Sequence, residues 1–143
     1  MVRTILGMIM GTLAASLVLI GCWYASAKFH PLPTRAAFAT PESLSAYAAA
    51  TPSTAIACIL GGWALAGLLG GWTSAKIARP HPGAAALAIG AALTIAVIVH
   101  ATLMPNPEWM TVTGVLLPMP CAIVAGLLAM PRRQSWSDGT NGT

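Results

Sequence analysis

The sequence predicts an all-α fold, a four-transmembrane-helix integral membrane bundle with a short extracytoplasmic interfacial helix. Three observations predict it. Four apolar runs, near residues 4–26, 53–76, 83–104 and 110–130, carry no charge in their interiors, and each reaches the roughly 20 residues that cross a bilayer core. Only 7% of the 143 residues are charged, against about a quarter in soluble domains, so the chain lacks the polar surface to stand in water. Glycine and alanine recur at four-residue spacing inside the runs, the pattern that lets membrane helices approach closely. Residues 1–130 form the membrane domain and 131–143 a polar cytoplasmic tail.

The first run, TILGMIMGTLAASLVLIGCWYAS, carries Gly7-x-x-x-Gly11 continued by Ala15, and ends in Trp23 and Tyr24 as an interfacial anchor. A competing reading takes Arg3 and the apolar core as a secretory signal, cleaved near Ala25-Ser26-Ala27 or processed at Cys22 in Leu19-Ile20-Gly21-Cys22. The run exceeds a usual signal core and three more spans follow, so an uncleaved helix is the expectation.

Residues 27–52 break the pattern. His30-Pro31-Leu32-Pro33 cannot continue a helix. Thr40-Pro41-Glu42 then reads as a helix start, with a hydroxyl cap, a first-turn proline and an acid at the positive end of the dipole. Leu44, Tyr47 and Ala48 share one face of a helix from Pro41 to about Ala50, and Pro52 ends it.

The second span organises the rest. Leu65, Leu68, Leu69, Trp72 and Lys76 occupy one arc of about 100° and are expected to face lipid. Gly62, Gly67, Gly70 and Gly71 lie on the remaining face, expected to meet other helices. The turn Lys76–Pro82 leads to an alanine-rich third span, and Met104-Pro105-Asn106-Pro107-Glu108-Trp109 reverses the chain into the fourth. Pro118 and Pro120 interrupt that span. Each removes a backbone donor, so a kink is expected near Gly114 to Leu116, with freed carbonyls that either shape packing or line a pocket.

The charges set the orientation. Arg3, Lys76, Arg79, Arg132 and Arg133 fall on one side, Lys28 and Arg35 on the other, so both termini are expected in the cytoplasm and segment 27–52 outside it. The net charge of +4 comes from single or paired basic residues at span ends. That is membrane topology, and nucleic acid is not an expected partner. Cys22, Cys58 and Cys121 form neither a metal-ligand spacing nor a disulfide framework.

Chemistry-bearing residues are few. No ionisable group lies deep in a span, which counts against an ion pump. His30 and His100 both fall toward the outer side, with Cys22, Met104, Glu42 and Glu108. They form a candidate metal, haem or proton-relay site if they meet, and two ordinary interfacial histidines if they do not. The chain has no nucleophile–base pair, phosphate loop or H-E-x-x-H helix, so a non-enzymatic protein is expected.

At Trp63-Ala64-Leu65-Ala66-Gly67 through Gly70-Gly71 to Ala75-Lys76-Ile77-Ala78-Arg79, and again at Met104–Met110, the chain resembles a loose group of small four-span bacterial inner-membrane proteins. In that group a Trp/Gly-rich second span ends in a basic turn, and a Pro-x-Pro-x-Trp reversal joins the last two spans. Asn106 stands where such proteins often have histidine. The group has no assigned activity, so the resemblance implies the fold and carries no mechanism.

Three functions fit these features. The first is an accessory or scaffold subunit that docks on itself or on other membrane protein subunits through its glycine faces, with the lipid bilayer as its medium. The second is a small channel or carrier using the proline-broken fourth span. The third is a redox or metal-binding protein using His30 and His100. No cofactor is specified by any motif.

Overall fold

Every expected span forms a helix close to its expected bounds. The computed structural model describes residues 2–79, 81–104 and 107–130. Arg132, Arg133 and the rest of the polar tail, together with Pro80, Pro105 and Asn106, lie outside the described residues. Helix α1 is Val2–Ser26, α2 Pro41–Ala49, α3 Ser53–Ile77 and α4 Pro82–Leu103. The fourth span is divided into α5 (Glu108–Leu116) and α6 (Pro118–Ala129). Four helical stretches are long and apolar enough to cross a membrane, and no strand occurs among the described residues. The fold is an all-α, multi-pass membrane bundle.

Helix α3 sits at its centre. Its lipid arc lies as expected: Leu65, Leu69, Trp72 and Lys76 are exposed and Leu68 is half-buried. The Lys76 ammonium lies 5.6 Å from the centre of the Trp72 ring, a geometry that suits a cation at the edge of the apolar layer.

The glycine face divides between two neighbours. Toward α1, a Cβ added at Gly11 would lie 2.7 Å from the Gly70 carbonyl oxygen and 2.7 Å from Ser74 Cβ. One added at Gly70 would lie 2.9 Å from Ala15 Cβ, one at Gly7 2.8 Å from the Ser74 carbonyl, and one at Gly62 2.8 Å from Cys22 Cβ. Helices α1 and α3 therefore run antiparallel with backbones in contact. Toward α6, a Cβ at Gly67 would lie 2.9 Å from the Pro118 carbonyl and one at Gly71 2.9 Å from Ala122 Cα. Helix α4 closes the bundle through Gly90 against Ala122 and through Gly126 against Ala86. Lipid is as apolar as leucine, so helix association rests on close van der Waals contact, which small residues maximise between backbones. The same seam incorporates α1, including Leu19–Cys22, into the bundle.

Segment 27–52 folds over one end of the bundle, called here the capped end; the opposite end, with Arg3, Lys76 and Arg79, is the basic end. At the start of α2 a capping box forms. The Ser43 N–H donates to Thr40 Oγ1 at 3.2 Å and the Thr40 N–H donates to Ser43 Oγ at 3.2 Å. Ser43 Oγ also lies 3.1 Å from the Ala37 carbonyl oxygen, which ties α2 to a single 3-10 turn, Arg35–Phe38, that the sequence did not signal. Leu44, Tyr47 and Ala48 are half-buried while Glu42, Ser45 and Ala49 are exposed, so the expected face is the one that packs.

The fourth span breaks at Leu117, just beyond the expected Gly114–Leu116. Pro118 and Pro120 have no N–H for the carbonyls four residues back, at Gly114 and Leu116. The Leu117 N–H still reaches the Thr113 carbonyl at 2.9 Å, whereas the Cys121–Leu117 bond is stretched to 3.4 Å. Leu117 keeps helical dihedrals (φ −75°, ψ −44°), so the break is a gap in hydrogen bonding and not a change of backbone conformation.

Candidate functional site

Large side chains hold the capped half of the bundle open. Trp63 stands on α3 one residue after Gly62, and its indole packs against Gly114 of α5, whose missing Cβ makes the room. Trp63 is buried with Val97 and Met110, flanked by Leu19, Ile59 and Val115. These side chains fill the space among α3, α4 and α5, where small residues would have let the backbones come closer.

Two adjoining cavities result. A chamber of about 450 Å³ lies at the level of the α1 and α4 ends, walled by Leu19, Trp63, Leu93, Ala96, Val97 and Pro118 among others. Its walls are overwhelmingly apolar. Above it, under the cap, a vestibule of about 70 Å³ is bordered by Ser26, His30, Tyr47, Thr51 and His100. That volume has room for about two waters at their liquid share of roughly 30 Å³ each. Trp23, Ile59, His100 and Met104 line both spaces.

The polar groups of the vestibule are unequally committed. Ser26 Oγ donates to the Trp23 carbonyl at 2.7 Å, Thr51 Oγ1 to the Tyr47 carbonyl at 3.3 Å, and Tyr47 OH to the Pro31 carbonyl at 2.8 Å. Burial pushes the Tyr47 phenol up from its usual value, so it stays protonated and remains a donor at neutral pH. The His30 ring leans on Tyr47 with centroids 4.5 Å apart and planes tilted by 41°, and its Nε2 is buried without a hydrogen-bond partner among the described residues. His100 meets the Trp63 indole edge-on at 5.9 Å.

The histidines read from the sequence thus border one vestibule, with Met104 beside them and Cys22 on the chamber wall. Glu42 and Glu108 do not join them: both are exposed and absent from either lining. Among the described residues no three His, Cys, Asp or Glu side chains gather as a metal site would require. The pair offers two ligands at most, where a protein metal site ordinarily supplies three or four. The six glycines, Gly7, Gly11, Gly62, Gly67, Gly70 and Gly71, all face helices of this same chain.

Sequence reasoning missed Tyr47 and Trp63 as site residues. Trp63 did carry a signal, being the one bulky side chain on a face otherwise made of small ones. Pro118 was read both as a packing device and as a possible pocket wall, and it lines the chamber while also touching Gly67. The geometry defines a multi-pass membrane protein with a ligand-sized chamber at one end. No protein-family model, curated protein or solved structure matches the chain.

Proposed function

We propose that this is a non-enzymatic protein of the bacterial cytoplasmic membrane that binds a lipid-like molecule in its capped half, with both termini cytoplasmic. The observation that carries the reading is the chamber of about 450 Å³, apolar in its walls and adjoining, across His100 and Met104, a vestibule bordered by several polar side chains. Ligand sites have this composition, with mostly apolar walls and a few convergent polar groups, and fall in this size range. The orientation is supported by Arg3, Lys76 and Arg79 at one end of the bundle and Lys28 and Arg35 at the other.

The scaffold reading is weaker than the sequence made it, because the glycine faces that would dock a partner are taken up between α3, α1 and α6. The test is native mass spectrometry of the full chain released from gentle detergent. A bound lipid-like mass is expected, and it should disappear in Ala96→Trp, which fills the chamber from an exposed position on α4. Protein that carries no such mass, or the same mass in both forms, would overturn the reading.

A further inference from the structure

We infer that the ligand of this chamber has an uncharged, oxygen-bearing head, a carbonyl or hydroxyl that hydrogen-bonds to His30 and His100, and a long hydrocarbon tail. This rests on the chamber reading above and adds the chemical class of the head. Four observations support it.

The described residues around both cavities include no Lys, Arg, Asp or Glu. A phosphate or ammonium head drawn into this space would be buried without an opposite charge, which is the costliest way to desolvate a group. The hydroxyls are already engaged, since Ser26, Thr51 and Tyr47 each donate to a backbone carbonyl. What stays uncommitted is imidazole, above all His30 Nε2, buried and unpartnered at the vestibule. A ring nitrogen donates in one tautomer and accepts in the other, so it serves a carbonyl or a hydroxyl head equally. Finally, the vestibule is bounded by the rings of His30, Tyr47 and His100, with His30 tilted against Tyr47 and His100 set edge-on to Trp63 of the chamber. The tail has its place in the apolar chamber below.

Prenylated quinones and prenols both satisfy this chemistry, one through ring carbonyls and the other through a hydroxyl, so both serve as probes. The full chain in detergent micelles is titrated by native mass spectrometry with a prenylated benzoquinone, a prenol of the same tail length, and phosphatidylglycerol. At least one neutral lipid is expected to bind one to one and more tightly than phosphatidylglycerol. Binding stronger for the quinone assigns a carbonyl head; stronger for the prenol, a hydroxyl head. His30→Leu and His100→Leu should each weaken that binding by about tenfold, the usual effect of removing one hydrogen-bond partner. His30→Gln and His100→Gln, which keep a donor and an acceptor, should retain most of it. A merely structural histidine would not separate the Gln from the Leu variants.

Phosphatidylglycerol binding as tightly as either neutral lipid, or Leu variants indistinguishable from the parent, would overturn the inference. If binding is then still lost in Ala96→Trp, the chamber reading stands and only the head class falls. If Ala96→Trp also leaves it intact, both fall.

Discussion

The basic half of the bundle and the capped half are held together by opposite means. Near Arg3 and Lys76 the helices meet backbone to backbone: Gly7 and Gly11 lie against Ser74 and Gly70, and Gly71 lies against Ala122. No space is left there for even one added carbon. Near the cap, α1 and α3 still touch at Cys22 and Gly62, while Trp63, Met110 and Val97 fill the space among α3, α5 and α4, and the chamber lies beside them. Close packing without large side chains gives adhesion and no volume; propping with an indole gives volume at the expense of contact. One helix, α3, makes both halves, and the change comes within two residues, at Gly62 and Trp63.

Substitutions can break the comparison from either side. The largest effect is expected at Gly11→Leu, which drives a side chain into the Gly70 carbonyl and Ser74. Overpacking of this kind should cost about 3 kcal/mol, measured as unfolding by denaturing detergent. A variant as stable as the parent would mean that α1 and α3 are not in backbone contact. Trp63→Ala works in the other sense. It removes the prop, and because lipid can fill the gap its cost should be smaller, about 2 kcal/mol. Labelling of a cysteine placed at Ala96 would report whether the chamber collapses, and unchanged labelling together with unchanged stability would argue that Trp63 holds nothing open.

Tyr47→Phe sharpens the capped side alone. It deletes the bond to the Pro31 carbonyl, worth about 1 kcal/mol, and should speed hydrogen exchange in residues 27–52 while leaving the spans as they were. Exchange that rises in the spans as well would tie the cap to the bundle more tightly than the contacts show. The smallest effect is expected at Gly61→Leu. A Cβ there meets nothing within 4 Å, so stability should move by less than about 0.5 kcal/mol, and a large loss would place this glycine in a contact after all.

Much of the fold was legible because it is local. Span bounds follow from apolar run length, the start of α2 from Thr40-Pro41, and the outward face of α3 from the spacing of Leu65, Leu69, Trp72 and Lys76. The partners of the glycine face were not legible. Gly67 and Gly71 announce a close approach, yet nothing in their spacing names α6, because the register between two helices is set by surfaces distant in sequence. The short turn after α3 makes α4 a neighbour, and α4 is one, through Ile89 at Gly70 and Ala86 near Ala75, but α3 presents its glycines chiefly to α1 and α6. The site was legible in part for the same reason. His30 and His100 could be assigned to one side of the membrane, but their shared vestibule depends on Tyr47 holding the loop through Pro31 and on Trp63 entering the space beside Gly114. The carboxylates Glu42 and Glu108 show the limit of assignment by depth alone, since both reach that side and neither enters the site.

The contact between Cys22 and Gly62 has a consequence for the cap. It clamps α1 to α3 close to where the chain leaves one helix and enters the other, so segment 27–52 begins and ends at neighbouring points on the bundle. The Tyr47 hydroxyl on the Pro31 carbonyl, worth about 1 kcal/mol, joins two parts of that segment to each other and not to the spans. The segment is therefore a loop closed twice, once at its root by the helices and once within itself by a tyrosine.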